Sequence, residues 1–277
     1  MTKKIDEKKA LFSDFLIKIE QGLCLALEKE SRRFPSWNKL LCKFKKFRSR
    51  FDSEANALSR EQSDKFIREA TELVNEMCVA QKILTSSRQE VTQLDYEPPL
   101  SCTRRTIDFR SAAADGKVTW WDVKTVHPEG KDVWGKYVDH MRCKLLHGLT
   151  LDKNGFGGEF YHKYYASRDK FLKYTLELEE KIANSGKAGK DKFVMVFCGN
   201  RWDWELDDIE DFADFYFTGY HRYDDHFAEM EEYYIKEKNI SLSRTINRFC
   251  YLRRAVAETE PDEWVQDVRG PRFGSRH

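Results

Sequence analysis

Two aspartates and one lysine carry the clearest chemical signal in this sequence. Asp122 and Lys124 lie two positions apart in the apolar segment 118–126, and Asp108 lies in the preceding segment 105–110. Both segments have the composition of strands, so Asp122 and Lys124 project from one face. Two adjacent carboxylates are ligands for a hard cation such as Mg²⁺ or Mn²⁺, and a lysine beside that cation would offset charge on a phosphoryl oxygen.

Asp108 reaches Asp122 only if the two strands form a hairpin in one particular register. A three-residue turn at 114–116, with Gly116 in the left-handed conformation, sets Asp108 directly opposite Asp122. Cross-strand neighbours of this kind have Cβ atoms about 4.5–5.5 Å apart. A two-residue turn would instead place Val123 opposite Asp108, so the register is a prediction that the structure can test.

The rest of the chain predicts the elements that hold these strands. Pro35 separates the first two helices, and Ser63 is the predicted N-cap of the third. The order of helix, three strands, helix, strand and helix predicts an α/β protein with a mixed sheet and helices packed on it. The predicted helices cover about 7–30, 36–50, 63–84, 159–184, 205–217 and 226–258, and the predicted strands cover 94–100, 105–110, 118–126 and 192–199.

Asp108 followed by Asp122-Val123-Lys124 resembles the PD-(D/E)xK phosphodiesterase superfamily, the restriction-endonuclease-like nucleases. In that superfamily a helix with a glutamate precedes a strand that often reads YEP, then the aspartate strand and the D/ExK strand. The resemblance covers about 63–217 and departs at Ile107, where the family has proline. The matching segments are FIREATELVNEM (66–77), Tyr96-Glu97-Pro98, Ile107-Asp108-Phe109 and Trp121-Asp122-Val123-Lys124.

The resemblance implies a fold and an activity. It implies a restriction-endonuclease-like αβββαβ core at 61–219, with helical extensions at 1–60 and 220–277. It also implies a metal-dependent nuclease that hydrolyses phosphodiester bonds with water that Mg²⁺ or Mn²⁺ activates; DNA is the favoured substrate, and RNA stays open.

The resemblance further implies roles for individual residues. The predicted metal ligands are Asp108, Asp122, the carbonyl of Val123, and Glu72. The predicted catalytic residues are Asp108, Asp122, Lys124 and Glu72, with Lys124 helping to activate the water.

The choice of the helix glutamate stays open at this point. Glu69 and Glu76 lie one turn from Glu72 on the same predicted helix face, and either is an alternative. The D/ExK triplet alone is a weak signal, because it also occurs at 6–8, 115–117, 129–131 and 179–181. Only Asp122-Val123-Lys124 lies in an apolar strand after an aspartate strand.

Two basic segments are candidates for contact with nucleic acid. Residues 32–51 interleave cations with aromatics, which favours an amphipathic helix with its apolar face in the core. The alternative is phosphate contact with bases stacked on the aromatics. On the helix at 159–184 the candidates are Lys163, Arg168, Lys170 and Lys173, and the alternative is a solvated face neutralised by neighbouring glutamates.

Composition excludes several classes. The chain has 277 residues, 40 % of them hydrophobic, which suffices for the core of one large domain. Seven scattered cysteines without a CxxC pair argue against a disulfide framework or a structural zinc site, and favour the cytoplasm. No apolar run is long enough to span a membrane, so no membrane partner is expected. A net charge of +1 leaves room for a local basic groove.

Two rival hypotheses come from other classes. The chain could be a catalytically inactive nucleic-acid-binding or assembly module that keeps a nuclease-like fold. It could also be a helical interaction protein, in which case the predicted strands would be wrong. The oligomeric state and the sequence specificity stay open.

Overall fold

A six-stranded mixed sheet organises this computed structural model, which describes residues 12–54, 60–86, 91–100, 106–127, 156–199, 206–220, 241–254 and 263–268. The strands follow one another in the sheet in chain order. The first three pair antiparallel, the third to the fifth pair in parallel, and the sixth is antiparallel to the fifth. They are β1 (Val91–Tyr96), β2 (Phe109–Ala113), β3 (Val118–Thr125), β4 (Lys192–Gly199), β5 (Arg248–Arg253) and β6 (Glu263–Val265).

Five helical segments accompany the sheet in the described ranges. The first, α1, comprises 12–19, a π-helical turn at Glu20–Cys24, and Leu25–Ser31. Parallel strands need crossover connections, and α4 and α5 lie in the two connections between β3, β4 and β5. The remaining helices are α2 (Trp37–Glu54), α3 (Arg60–Ser86), α4 (Phe156–Ser185) and α5 (Leu206–Thr218).

Helices cover both faces of the sheet, because side chains alternate along each strand. Trp121 and Val123 of β3 belong to one hydrophobic cluster with α1, α2 and α3. Trp120 belongs to a second cluster with α4 and α5. Asp122 and Lys124 therefore lie on the α4 side of a strand whose two faces are both covered.

The order of elements from α3 to α5 agrees with the prediction, and so do the bounds of β4. The predicted third helix begins at Arg60, so Ser63 is not its N-cap. The predicted strand 94–100 lies at Val91–Tyr96 on the sheet edge and ends before the two prolines, which cannot donate to a strand ladder. With six strands present, the hypothesis of a helical interaction protein is wrong.

The prediction of a helical C-terminal segment is wrong in its described part. Arg248–Arg253 forms β5 and Glu263–Val265 forms β6. Four consecutive residues of β5 are buried, and so short an apolar run does not distinguish a strand from a buried helix by periodicity. Residues 221–240 lie outside the described ranges. Among the helices that are described, none is both long and apolar enough to cross a membrane.

Candidate active site

The hairpin between β2 and β3 has the predicted register. Gly116 adopts φ 79° in the turn, a conformation that glycine accommodates without steric cost. Phe109 pairs with Trp121 as the last partners of β2. Asp108 immediately precedes β2, and its carboxylate reaches the end of β3, where it accepts a hydrogen bond from the Val123 N–H.

Asp122 is buried between two lysines. Its side chain is 1 % exposed, and Lys181 Nζ donates a hydrogen bond to Oδ1 at 2.9 Å. Lys124 Nζ lies 2.7 Å from Oδ2 and 3.9 Å from Asp108 Oδ2, so one ammonium group serves both carboxylates. Despite that ion pair, Asp122 Oδ2 is buried with no hydrogen bond of acceptable geometry from the described residues.

This arrangement shifts the pKa of Asp108. The backbone N–H of Val123 donates to its Oδ2 at 2.6 Å and fixes the carboxylate. Burial, followed by the negative charge of Asp122, raises the pKa of Asp108 to about 7, and Lys124 offsets only part of that rise. A further cation beside Asp108 would therefore be stabilising.

Lys124 responds in the opposite sense. Burial by itself would lower the pKa of this ammonium group. The carboxylates of Asp122 and Asp108 outweigh burial, and they hold the pKa of Lys124 above its usual value. Lys124 is therefore a protonated hydrogen-bond donor at neutral pH.

Two of the three candidate glutamates of α3 point to other partners. Glu69 forms an ion pair with Arg50 of α2. Glu72, the predicted catalytic residue, is 53 % exposed, and its Oε1 lies 3.2 Å from His127 Nε2. Neither of these contacts involves Asp108 or Asp122.

Glu76 is the one of the three candidate glutamates whose charge acts on Asp108. It is 17 % exposed, accepts a hydrogen bond from the Tyr96 hydroxyl at 2.6 Å, and lies 3.3 Å from Lys43 Nζ. Burial raises the pKa of Glu76, and the charge of Glu76 in turn helps to raise the pKa of Asp108. Glu76 therefore stays an alternative to Glu72 as the helix glutamate.

A buried hydrogen-bond chain fixes α3 against the end of β3. Asn75, next to Glu76, donates through Nδ2 to Thr125 Oγ1 at 3.0 Å. Arg254, which follows β5 and is also buried, donates through Nε to Asn75 Oδ1 at 3.1 Å. These two hydrogen bonds fix the rotation of α3 about its axis relative to the end of β3.

Sequence reasoning missed Lys181. It belongs to the triplet 179–181, one of the D/ExK matches that lie outside the strand context. Its neighbours Leu178 and Ile182 are buried on the face of α4 that packs on the sheet. The sequence signal for Lys181 was its position next to the apolar stripe of α4. That signal does not identify its partner, because Asp122 is 59 residues away in the chain.

Only two of the four predicted nucleic-acid-binding side chains lie within the described residues. The side chains of Lys163 and Arg168 lie outside the described residues. Lys170 Nζ donates to the backbone carbonyl of His127, and Lys173 is exposed. Whether these four residues bind nucleic acid stays a prediction.

Most of the basic segment 32–51 lies in the amphipathic helix α2, which begins at Trp37, as the sequence favoured. Its aromatic residues are buried in the core, so base stacking on them is excluded; they are Phe34, Trp37, Phe44, Phe47 and Phe51. The opposite face carries exposed cations at helical spacing, namely Lys39, Lys43, Lys46 and Arg50.

Comparisons with protein-family models, with curated proteins and with solved structures found no match for this chain. The case for a function therefore rests on the geometry of the site itself.

Proposed function

We propose that this protein is a metal-dependent nuclease that hydrolyses phosphodiester bonds in DNA. The observation that carries the proposal is the pairing of Asp108 and Asp122 around one lysine, in the register that the sequence predicted. On this proposal α3, β1 to β3, α4 and β4 form a restriction-endonuclease-like core, and α1, α2, β5 and β6 are additions to it.

The donor set suits a hard divalent cation. Within the described residues, no three side chains of His, Cys, Asp or Glu form a ready-made metal site. Mg²⁺ is usually held by only one or two carboxylates, with water and substrate phosphates completing its octahedron. Asp108, Asp122 and the Val123 carbonyl provide such a set, and a cation at Oδ2 of Asp122 would replace or displace the Lys124 ammonium group, which lies 2.7 Å from that oxygen.

A bound divalent cation would polarise the phosphoryl group and lower the pKa of water. The protein's own residues supply the positioning. The Val123 N–H and Lys181 fix the two carboxylates. Asp122 and Asp108 hold the pKa of Lys124 above its usual value, so Lys124 would donate a hydrogen bond to a phosphoryl oxygen or to the attacking water.

The exposed cations of α2 favour a polyanionic substrate. Residues three and four apart share one helix face, so Lys39, Lys43, Lys46 and Arg50 form a stripe. Two of these cations are already paired with glutamates of α3, Lys43 with Glu76 and Arg50 with Glu69, so Lys39 and Lys46 would contribute most to phosphate contact. A nucleic-acid backbone lying along α2 would bring successive phosphates past these cations.

The test is cleavage of plasmid DNA and single-stranded DNA with Mg²⁺ or Mn²⁺. We expect metal-dependent cleavage that is lost in Asp122→Ala and Lys124→Ala, and retained in Lys190→Ala. Lys190 is an exposed lysine in the turn after α4, so it controls for loss of surface charge. Cleavage that survives in both site variants would locate the activity elsewhere or in a contaminant. Absence of both cleavage and Mn²⁺ binding would favour an inactive nucleic-acid-binding module.

A further inference from the structure

Lys181 links two layers of the fold at the candidate site. It comes from α4, and its Nζ meets Oδ1 of Asp122 in β3 at 2.9 Å. The carboxylate is almost completely buried, whereas the lysine side chain remains 21 % exposed. A lysine that closes off a buried carboxylate in this way restricts the rotation of that carboxylate.

The two oxygens of Asp122 have different surroundings. Oδ1 is held by the hydrogen bond from Lys181. Oδ2 lies beside Lys124 Nζ, which it shares with Asp108. If Lys124 moves to bind a phosphate, Lys181 becomes the remaining cation on Asp122 among the described contacts.

We propose that Lys181 is a positioning residue, which holds Asp122 so that Oδ2 faces Asp108 and is ready to bind a divalent cation. This inference rests on the proposed function, because it assumes that the two aspartates bind metal. It assigns Lys181 to metal affinity, and not to contact with the reacting atoms.

The expected size of the effect comes from the general behaviour of groups that orient metal ligands. Removing a hydrogen bond that orients a metal-binding side chain typically lowers metal affinity about 10–100-fold. A purely electrostatic role predicts the opposite sign, because removing a positive charge near the site would strengthen binding of a cation. The sign of the change therefore separates the two roles.

The experiment measures Mn²⁺ binding to the full chain by electron paramagnetic resonance and calorimetry. Lys181→Met removes the donor and the charge, and we expect it to raise the Kd for Mn²⁺ about 10–100-fold. Lys181→Arg keeps both and should stay within a few-fold of wild type. Lys190→Met is the matched surface control, and Asp122→Asn defines binding outside the site.

Each outcome decides between the proposals. Wild-type binding that is lost in Asp122→Asn but unchanged or tighter in Lys181→Met overturns the role of Lys181 and leaves the metal site standing. Wild-type protein without Mn²⁺ binding overturns both. If Lys181→Met does not fold, as judged by circular dichroism, Lys181→Ala replaces it, because it also removes the donor and the charge. We expect the same rise in the Kd for Mn²⁺, and unchanged or tighter binding in folded Lys181→Ala would overturn the proposal.

Discussion

Two buried carboxylates, Asp122 in β3 and Glu179 in α4, are stabilised in opposite ways. Glu179 is 5 % exposed and accepts hydrogen bonds from the Tyr216 hydroxyl at 2.6 Å and from the backbone N–H groups of Ser243 and Thr245 at 2.9 and 3.4 Å. Asp122 meets two lysine ammonium groups, and its Oδ2 lacks a hydrogen bond in the described structure.

The difference lies in how easily the partners can be replaced. The donors to Glu179 are fixed, since two belong to the backbone and Tyr216 also accepts from the N–H of Ile246 at 3.0 Å. Such a carboxylate holds the segment before β5 in place. The Lys124 ammonium group sits on a long flexible stem and, on the proposed function, moves away when a cation or a phosphate arrives, whereas Lys181 stays on Oδ1. Burial alone therefore does not distinguish a carboxylate with a structural role from the proposed metal ligand.

The test with the largest expected effect compares removal of the Asp122 carboxylate with removal of the Glu179 carboxylate. Asp122→Asn should reduce DNA cleavage about 10³-fold or more, because it removes a proposed metal ligand. Glu179→Ala should lower the free energy of unfolding by about 2–4 kcal/mol, because it leaves buried donors unpaired, while folded protein keeps its cleavage rate. Cleavage rates and urea unfolding measure the two effects. Loss of cleavage in folded Glu179→Ala would contradict the purely structural role of Glu179.

A smaller effect would show whether Glu76 or Glu72 belongs to the proposed site. Glu76→Gln removes a buried charge next to Asp108, so it should lower cleavage about 10–100-fold at limiting Mn²⁺. Glu72→Gln should change cleavage by less than about threefold, because Glu72 is exposed and contacts His127. Titrating Mn²⁺ at fixed DNA distinguishes the two variants. The reverse ranking would restore Glu72 as the helix glutamate.

The smallest effect is a pH dependence of stability in metal-free protein. The pKa of Asp108 rises from 3.8 to about 7 on folding, so the folded state binds this proton more tightly than the unfolded state. Between about pH 4 and pH 7 this group therefore makes the free energy of unfolding fall as the pH rises. Asp108→Asn lacks the group, so its Tm should exceed that of wild type at pH 8, and the difference should shrink as the pH falls and vanish below about pH 4.

Thermal scans in a chelator measure this difference. Mn²⁺ at pH 8 should raise the Tm of wild type more than that of Asp108→Asn, because it binds the folded site. Parallel pH profiles for the two proteins would show that Asp108 is not under electrostatic strain.

The parts of the site that the sequence predicted are set by local rules. The turn at Gly116 sets the register of β2 and β3, and that register brings Asp108, just before β2, to the part of β3 that carries Asp122. Lys181 could not be assigned to the site in the same way, because its contact depends on how α4 packs on the sheet. The choice between Glu76 and Glu72 depends on the rotation of α3, which the buried contacts of Asn75 set.

The strand β5 illustrates a second limit. Its apolar run fits a buried helix or a buried strand equally well by periodicity, and pairing with β4 decided the outcome. Whether the core is restriction-endonuclease-like depends on the same kind of long-range arrangement, and it stays a proposal.

The hydrogen bond between Asn75 and Arg254 has a consequence for the order of events during synthesis. The two residues are 179 positions apart, so a growing chain contains every candidate site residue, from Glu76 to Lys181, well before Arg254 has been added. Until then α3 lacks this anchor, and β4 lacks its neighbour β5. Contacts between such distant residues form late and slowly. The nascent protein therefore carries the side chains of the proposed site before it has the contacts that position them.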